Sequence, residues 1–253
     1  MRNWMVAGNW KMNNIAAESA ALAKSIKTGV TDVGGGDIAL APPFTSLSTV
    51  YEIIKDSPLL LAAQNMFYED KGAYTGEISP AMLKSTGCTY VIIGHSERRK
   101  YFHETDESVN LKVKKCLSAG LKPIVCVGET EEDREKGITD FVIGIQIRKA
   151  MAGIEELDDV VVAYEPVWAI GTGKNATPIE AEETHAFIRA LLGETYGDAV
   201  NDLRILYGGS VTPDNIGDLI EMKNIDGALI GGASLKSETF LGIIRKIAEK
   251  RSC

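Results

Sequence analysis

The sequence predicts a closed (β/α)₈ barrel, an α/β fold in which helices surround eight parallel strands. Eight short apolar runs recur along the chain, amphipathic helical patterns separate them, and the length of 253 residues is typical of this fold. An open sheet fits less well, because the last strand needs a neighbour and the first strand can supply it. We expect residues 1–253 to form a single domain, since no linker or low-complexity segment divides them.

The predicted strands are short and almost continuously apolar. Parallel strands that are covered on both faces show this pattern, whereas half-exposed strands alternate between apolar and polar residues. Alternation of such runs with helical patterns indicates βαβ units. In chain order the runs are Trp4–Ala7, Ile38–Ala41, Leu59–Ala63, Tyr90–Ile93, Ile124–Val127, Val160–Tyr164, Ile205–Tyr207 and Ala228–Ile230.

Helix signals lie between these runs. Thr177-Pro178-Ile179-Glu180 is a capping box with proline in the first helical position, so a helix should begin at Pro178. Thr212-Pro213 gives a second start of the same kind, and Gly120 has the position of a glycine that ends a helix. Helical spacing predicts four buried faces, formed by Ile15, Leu22 and Ile26; by Val109, Val113 and Leu117; by Ile216, Leu219 and Ile220; and by Phe240, Ile243, Ile244 and Ile247.

Composition and charge limit the possible partners. Hydrophobic residues make up 45% of the chain and charged residues 25%, which is typical of a globular protein with a large core. The formal net charge is -8 and no long basic run exists, so we expect no nucleic-acid partner. The N-terminus lacks the apolar core of a signal peptide, and no apolar run is long enough to cross a bilayer. We therefore expect a cytoplasmic protein without a membrane contact.

The cysteines show neither disulfide nor metal-site spacing. No Cys-x-x-Cys pair occurs, and no cysteine has a histidine at the spacing of metal ligands. We therefore expect reduced thiols and no metal site. The four residues are Cys88, Cys116, Cys126 and Cys253.

Chemically reactive side chains follow three of the predicted strands. The first run leads to Asn9 and Lys11, the fourth leads to His95, and the sixth leads to Glu165. In a (β/α)₈ barrel the active site lies at the C-terminal ends of the strands. We therefore expect these four side chains to share one rim of the barrel.

Glu165 and His95 each have a structural alternative. Glu165 directly follows Tyr164, and a carboxylate partly shielded from water there should have a raised pKa and act as a better base. The alternative for Glu165 is a salt bridge to an arginine. His95 taken alone is equally consistent with a structural role, and His103 and His185, on helical segments, should lie at the surface.

The residues that follow His95 should support the site rather than react. Glu97 precedes Arg98 and Arg99, so a salt bridge is the first expectation for its carboxylate. We place Ser96, beside it, in the same supporting group.

Glycine pairs at two adjacent strand ends predict where an anion binds. Gly209-Ser210 follows the seventh run, and Gly231-Gly232 follows the eighth. Glycine lets backbone N–H groups approach a ligand closely, and these two loops commonly form a phosphate site in this fold. The alternative is a pair of tight turns that bind no ligand.

Several longer motifs resemble the triosephosphate isomerase family. They span nearly the whole chain in the family's order, and none departs from the family at a catalytic position. The motifs are Gly8-Asn9-Trp10-Lys11, GHSERR from Gly94, CVGE from Cys126, AYEPVWAIGTGK from Ala163, YGGSV from Tyr207 and GALIGGASL from Gly227.

The resemblance implies an isomerase of glycolysis and gluconeogenesis that interconverts dihydroxyacetone phosphate and glyceraldehyde 3-phosphate without a metal or an organic cofactor. It implies that Glu165 moves the proton, that His95 polarises the substrate oxygens, and that Asn9 and Lys11 bind substrate and stabilise charge. The family holds the phosphate through backbone N–H groups, which match Gly171, Ser210, Gly231 and Gly232 in this sequence.

The segment after Glu165 should move. Pro166 restricts one end of the segment 166–173, while Gly171 and Gly173 loosen the other end, and Trp168 gives it a bulky contact. We expect a lid that closes over the enediolate intermediate, because an intermediate left open to water can expel its phosphate.

The loop Gln64–Pro80 is too long for a simple connector. It carries the apolar side chains Met66, Phe67 and Tyr74. The loop either folds on its own barrel or contacts a second copy of the chain. The resemblance favours a homodimer, with Thr75 near the partner's catalytic residues.

Two rival functions stay open on the residues alone. A barrel aldolase with the same phosphate site would use Lys11 to form a Schiff base, although Glu97 and Glu165 nearby would raise the pKa of that amine and keep it protonated. A sugar-phosphate sensor would bind without reaction, but pure binding gives no reason to place the Glu165 carboxylate near a dianion.

Overall fold

The computed structural model describes residues 2–170 and 176–251, and eight parallel strands in them form a closed barrel. The strands are β1 (Trp4–Asn9), β2 (Gly36–Ala41), β3 (Leu59–Ala63), β4 (Cys88–Ile93), β5 (Lys122–Val127), β6 (Val161–Tyr164), β7 (Arg204–Tyr207) and β8 (Gly227–Ile230). Neighbours pair in chain order, and β1 closes the ring against β8, where Met5 lies opposite Gly227. The predicted fold class and all eight predicted strands are confirmed.

Each strand buries both of its faces, which explains the continuous apolar runs. In β1, Met5 and Ala7 point into the barrel, whereas Trp4 and Val6 point outward into the layer between strands and helices. The inner cluster is small and contains alanines, Cys126 and other side chains that fill the barrel axis. The period of two along a strand therefore separates two apolar environments rather than core and solvent.

Ten α-helices cover the outside of the barrel in the described residues. They are α1 (Ala16–Gly29), α2 (Leu47–Ile54), α3 (Pro80–Ser85), α4 (Ser96–Phe102), α5 (Asp106–Ser118), α6 (Glu131–Glu135), α7 (Thr139–Ala150), α8 (Pro178–Tyr196), α9 (Ile216–Ile220) and α10 (Ser237–Arg251). The predicted buried faces of α5, α9 and α10 are confirmed, with Leu117 of α5 only partly buried. Thr177 caps α8 through the predicted capping box, and Gly120 follows α5 with a φ of +72°.

Two helix predictions are wrong in detail. Ile15 is 68% exposed, because it lies just before α1 and only Leu22 and Ile26 face the barrel. The helix expected at Pro213 begins at Ile216. The Asn215 side chain accepts the Thr212 N–H at 2.9 Å, and this bond stabilises a turn that competes with a first helical turn.

The loop Gln64–Pro80 folds partly on its own barrel. Met66 is fully buried in the outer apolar layer, so this side chain follows the alternative of a loop that folds on its own barrel. Asn65 is also buried and accepts a hydrogen bond from the Lys112 Nζ at 2.8 Å. Phe67 stacks on Tyr68 and lies 4.7 Å from Tyr74, between ring centroids, on a stretch that is half-buried to exposed.

Candidate active site

The C-terminal rim of the barrel brings the predicted reactive residues together. Asn9 ends β1, His95 follows β4 and Glu165 follows β6. All three border one cavity of about 330 Å³, whose other lining residues include Lys11, Ser210, Gly231 and Gly232. Gly171, the remaining predicted phosphate residue, lies outside the described residues.

Glu165 is buried and both of its carboxylate oxygens accept hydrogen bonds. Its side chain contacts His95, with Oε1 at 2.9 Å from the imidazole Nε2. Oε2 accepts the backbone N–H of Ser96 at 2.8 Å. With the residue 2% exposed, water cannot compete for these bonds, so the His95 ring and the start of α4 fix the carboxylate.

The expected rise in the pKa of Glu165 is wrong for this arrangement. Burial by itself raises the pKa, but the charge and the hydrogen bond of His95 and the Ser96 N–H together lower it below the usual glutamate value. The side chain is therefore an ionised carboxylate at neutral pH. The sequence indicated the burial of Glu165 but not the two donors that stabilise its charged form.

His95 lies at the start of α4, where its side chain caps the helix. Nδ1 accepts the backbone N–H of Glu97 at 3.2 Å, so the proton of a neutral ring is on Nε2 and faces Glu165. Burial lowers the pKa of His95 and the Glu165 carboxylate raises it more, while Lys11 lowers it. The net shift in the pKa of His95 is upward.

Lys11 is held in a strained backbone conformation beside the cavity. Its φ of +51° lies in the left-handed region, which is uncommon for a residue with a side chain. Its N–H donates to Asn9 Oδ1 at 3.0 Å, and Gln64 Nε2 donates to its carbonyl at 2.8 Å. Its ammonium contacts Glu97 Oε1 at 2.6 Å. Glu97 therefore supports Lys11 rather than pairing with the arginines that follow it in sequence.

Two different physical reasons explain why glycine occurs at the rim: close packing at Gly208 and Gly209, and open space at Gly232. A Cβ on Gly208 would lie 2.9 Å from Glu165 Cγ, and a Cβ on Gly209 would lie 2.2 Å from the Tyr207 hydroxyl. These two positions must be glycine for packing alone. A Cβ on Gly232 would meet nothing within 4 Å, so the space in front of its backbone is open to the cavity.

Glu129 is a residue of the site that the sequence analysis missed. It follows β5, is fully buried, and its Oε1 accepts both the Tyr164 hydroxyl at 3.1 Å and the Trp168 Nε1–H at 2.7 Å. Arg134 lies over the Trp168 ring at 4.3 Å from its centroid. These contacts fix the first residues of the predicted lid. The signal was present, because Glu129 follows a strand as Glu165 does, within the motif CVGE.

Among the described residues, His103, His185, Cys88, Cys116 and Cys126 are not part of the lining of the smaller cavity. His103 is exposed at the end of α4, as predicted, but His185 is fully buried on α8, so its predicted surface position is wrong. Cys88, Cys116 and Cys126 are buried free thiols, and Cys253 lies outside the described residues. Within residues 2–170 and 176–251, no group of histidine, cysteine and acidic side chains has the arrangement of a metal site.

A second cavity, of about 620 Å³, lies on the other side of Glu165. Its lining includes Arg99, Gln146 and Trp168 but neither Lys11 nor the glycines of the β7 and β8 turns. The smaller cavity therefore combines the buried carboxylate with the cation and the open backbone. The larger cavity also contains the cations Arg99 and Lys100, but of the two cavities the smaller one is bordered by His95 and by the glycine turns that suit an anion.

Fold and rim together define an enzyme of the (β/α)₈-barrel class, with its functional groups at the C-terminal ends of the strands. The family model described as triosephosphate isomerase matches residues 4–247. The chain belongs to the triosephosphate isomerase family.

Relatives and a solved structure agree over nearly the whole chain. It is 54% identical to a triosephosphate isomerase of Caldanaerobacter subterraneus subsp. tengcongensis, over 96% of this chain and 99% of the relative. It is 52% identical to one of Chlorobium chlorochromatii, over 99% and 100% of the two chains. A crystal structure of triosephosphate isomerase from Bartonella henselae, 38% identical, superposes with a TM-score of 0.90 over 96% of this chain and 98% of the other.

Proposed function

We propose that this chain interconverts dihydroxyacetone phosphate and glyceraldehyde 3-phosphate by proton transfer through an enediolate. The observation that carries the proposal is a buried, ionised Glu165 in contact with the His95 Nε2, at the edge of a cavity that Lys11 also borders. Removal of a proton next to a carbonyl requires a base and requires donors for the oxygens that become charged. The rim supplies both within one small cavity.

Glu165 acts as the base in this proposal. One carboxylate is enough, because the two carbons that exchange the proton lie on the same face of a planar intermediate. In this structure its two oxygens contact His95 and Ser96. Substrate binding must therefore exchange these partners, so that the carboxylate reaches the carbon-bound proton and Nε2–H of His95 reaches a substrate oxygen.

His95, Lys11 and Asn9 stabilise the enediolate. The Nε2–H of His95 is the buried donor, and Lys11 brings the positive charge, which its Glu97 contact orients. Asn9 fixes the Lys11 backbone and borders the same cavity. Donors that are already oriented stabilise developing charge without reorganisation when the charge forms, so we assign most of the rate enhancement to these three residues and to positioning.

Backbone N–H groups of Ser210, Gly231 and Gly232 hold the phosphate in this proposal. Ser210 and the glycine pair follow the neighbouring strands β7 and β8 and line the same cavity as Glu165. The open space in front of Gly232 supports this assignment. The corresponding role of Gly171 is proposed from the sequence motif alone.

An isomerase assay on the purified chain tests the function. Coupled assays in both directions should show turnover that excess chelator leaves unchanged, and substrate recovered from deuterium oxide should carry deuterium at carbon. Absence of turnover in both directions would reject the proposal. Reduction with borohydride in the presence of substrate should leave Lys11 unmodified, whereas a covalent adduct there would favour the aldolase.

We also propose that the chain forms a homodimer through the loop Gln64–Pro80. Large apolar side chains are exposed on the loops and helices of the C-terminal rim, and a monomer would leave this area in water. They include Met12, Ile15, Phe44, Tyr74, Met82 and Phe102, with Met12 96% exposed. Deletion of Phe67–Gly76 should give monomers with little activity in sedimentation and activity measurements. An intact dimer after this deletion would move the interface elsewhere.

Two further proposals concern the chain as a whole. We propose a cytoplasmic location, which the buried free thiols Cys88, Cys116 and Cys126 support, because reduced cysteines are typical of that compartment. We propose a single domain over 1–253, supported by the pairing of β1 with β8, which joins the two ends of the chain in one sheet. None of the described helices is long and apolar enough to cross a membrane.

A further inference from the structure

His185 is a buried histidine with no role in the proposed chemistry. It lies on the inner face of α8, is fully buried, and is separated from the cavity by β6 and β7. Its ring lies edge-on to Tyr164, at 5.7 Å between centroids and an interplanar angle of 84°. It also lies 6.4 Å from the Tyr207 ring. One imidazole therefore contacts the last residue of each of two neighbouring strands.

The two tyrosines position different parts of the candidate active site. Tyr164 directly precedes Glu165, and its hydroxyl donates to Glu129, which also binds Trp168 of the lid. Tyr207 is paired with Tyr164 in the sheet and directly precedes the turn that leads to Ser210. A shift of the Tyr164 ring would therefore move Glu165 and Glu129. A shift of Tyr207 would move the turn that leads to Ser210.

The glycines next to these tyrosines leave little room for such a shift. A Cβ on Gly209 would lie 2.2 Å from the Tyr207 hydroxyl, and a Cβ on Gly208 would lie 2.9 Å from Glu165 Cγ. The turn therefore packs directly on both the Tyr207 ring and the base. Since packed interiors transmit small displacements rather than absorbing them, the ring behind the tyrosines affects the geometry on the cavity side.

The hydrogen bond of His185 fixes the orientation of its ring. Nδ1 lies 3.3 Å from the carbonyl oxygen of Asn224, and because a carbonyl only accepts, Nδ1 carries the proton. Within the described residues Nε2 has no hydrogen-bond partner. Burial, helped by the charge of Arg189, lowers the pKa of His185 to about 3, so the ring is neutral at pH 7. The Asn224 bond holds the ring, and the ring in turn packs against the tyrosines.

We infer that His185 is a positioning residue that fixes Tyr164 and Tyr207 relative to each other. The base Glu165, the Glu129 carboxylate that binds Trp168, and the turn that leads to Ser210 then keep one relative geometry. The inference rests on the proposed function. Loss of the ring should increase the elimination of phosphate from the enediolate more than it weakens substrate binding, because the residue does not touch the substrate.

Two substitutions separate the ring from the hydrogen bond. His185→Asn retains a donor for the Asn224 carbonyl but removes the ring, and His185→Phe retains a ring but removes the donor. Leu191→Ala is the matched control, because Leu191 lies on the same helix and faces α7 at Gly144. Leu191→Ala should destabilise α8 while leaving the ring contacts of His185 with Tyr164 and Tyr207 in place.

The measurements are kcat, KM, the melting temperature and the ratio of released inorganic phosphate and methylglyoxal to isomerised product. His185→Asn should lower kcat by about tenfold and raise the elimination ratio severalfold with a smaller change in KM, since sub-ångström displacement of reacting groups is enough for such losses. His185→Phe should recover most of kcat and a low elimination ratio despite a lower melting temperature. Leu191→Ala should lower only the melting temperature.

Equal kcat and elimination ratio in His185→Asn and Leu191→Ala would overturn the inference, because His185 would then act on stability alone. That comparison still decides the question if His185→Phe does not fold. Failure of the wild-type chain to isomerise either triose phosphate would instead reject the proposed function, so the two failures are distinguishable.

Discussion

The two ends of the barrel bury charged groups in opposite ways. At the N-terminal end, Asp226 is fully buried and its carboxylate contacts Arg189 at 2.7 Å and Arg2 at 2.6 Å. The Ile205 N–H donates to the same carboxylate at 2.9 Å. At the C-terminal end, the buried Glu165 carboxylate has a histidine and one backbone N–H as partners, and it borders a cavity.

The two buried carboxylates differ in whether a ligand could replace their hydrogen-bond partners. Asp226 has two guanidinium groups and a backbone N–H of its own chain as partners, and removal of Arg189 would leave this buried carboxylate with weaker compensation. Glu165 and His95 contact each other at the edge of the cavity, and in the proposed mechanism both exchange this contact for the substrate. The N-terminal end therefore stabilises the barrel, and under the proposed function the donors at the C-terminal end are oriented for the charge of the enediolate.

The largest expected effect is at the base. Glu165→Gln keeps the size of the side chain and its bond from Ser96 but removes the basic lone pair, so kcat should fall by about 10²–10⁴-fold. Unfolding by urea should occur at nearly the wild-type concentration. A loss of kcat smaller than about tenfold, with proton exchange into solvent retained, would show that another group is the base.

The next effect is at the other end of the barrel. Arg189→Met removes the guanidinium from buried Asp226, and breaking such a pair should lower the free energy of unfolding by about 3 kcal/mol. Arg189 does not line the cavity, but it donates to both side-chain and backbone oxygens of Asn224, whose carbonyl holds His185. The loss of kcat in the folded enzyme should therefore not exceed the loss of about tenfold expected for His185→Asn. Urea titration and kinetics on the same preparation give both values. A large loss of kcat without a loss of stability would reverse the assignment of the two ends.

A smaller effect is expected at the donor. His95→Gln retains a side-chain N–H but changes its strength and direction, so kcat should fall by roughly 10²-fold while KM changes less. A change in KM alone would mean that His95 contributes only uniform binding. A nitrogen-15 spectrum of labelled histidine in the substrate-free enzyme can test the proton assignment, with Nδ1 unprotonated and Nε2 protonated.

The last prediction is a pH dependence of stability that arises at His185. The pKa of His185 is about 3 in the folded chain, because of burial, against an ordinary value of 6.5. The unfolded chain therefore takes up a proton first as the pH falls below 6.5, and the contribution of the neutral ring to stability is lost between pH 6.5 and 3. In urea titrations at fixed protein concentration, the difference between wild type and His185→Phe should change by about 1.4 kcal/mol per pH unit in this window. A constant difference would mean that the folded ring takes up the proton as readily as the unfolded one.

Much of the fold and part of the site were predictable from local pattern. Continuous apolar runs gave the strands, and the capping box gave the start of α8 at Pro178. Placement after a strand predicted that His95 and Glu165 share a rim. The start of α9 was wrong because Thr212 and Asn215 form a turn whose strength depends on a side-chain bond. The buried position of His185 was missed because a lone histidine in a helical pattern carries no signal for its environment.

The sequence by itself determined the order of strands and helices, the barrel class and which side chains stand at strand ends, because these depend on residue spacing along the chain. Only the tertiary structure decided the partner of each charged group. Glu97 contacts Lys11 rather than the adjacent arginines, the donors of His95 and Ser96 lower the pKa of Glu165, and His185 lies behind Tyr164 and Tyr207. The physical reason is that contacts between different βα units depend on the closed ring of strands, which sets distances that no local pattern contains.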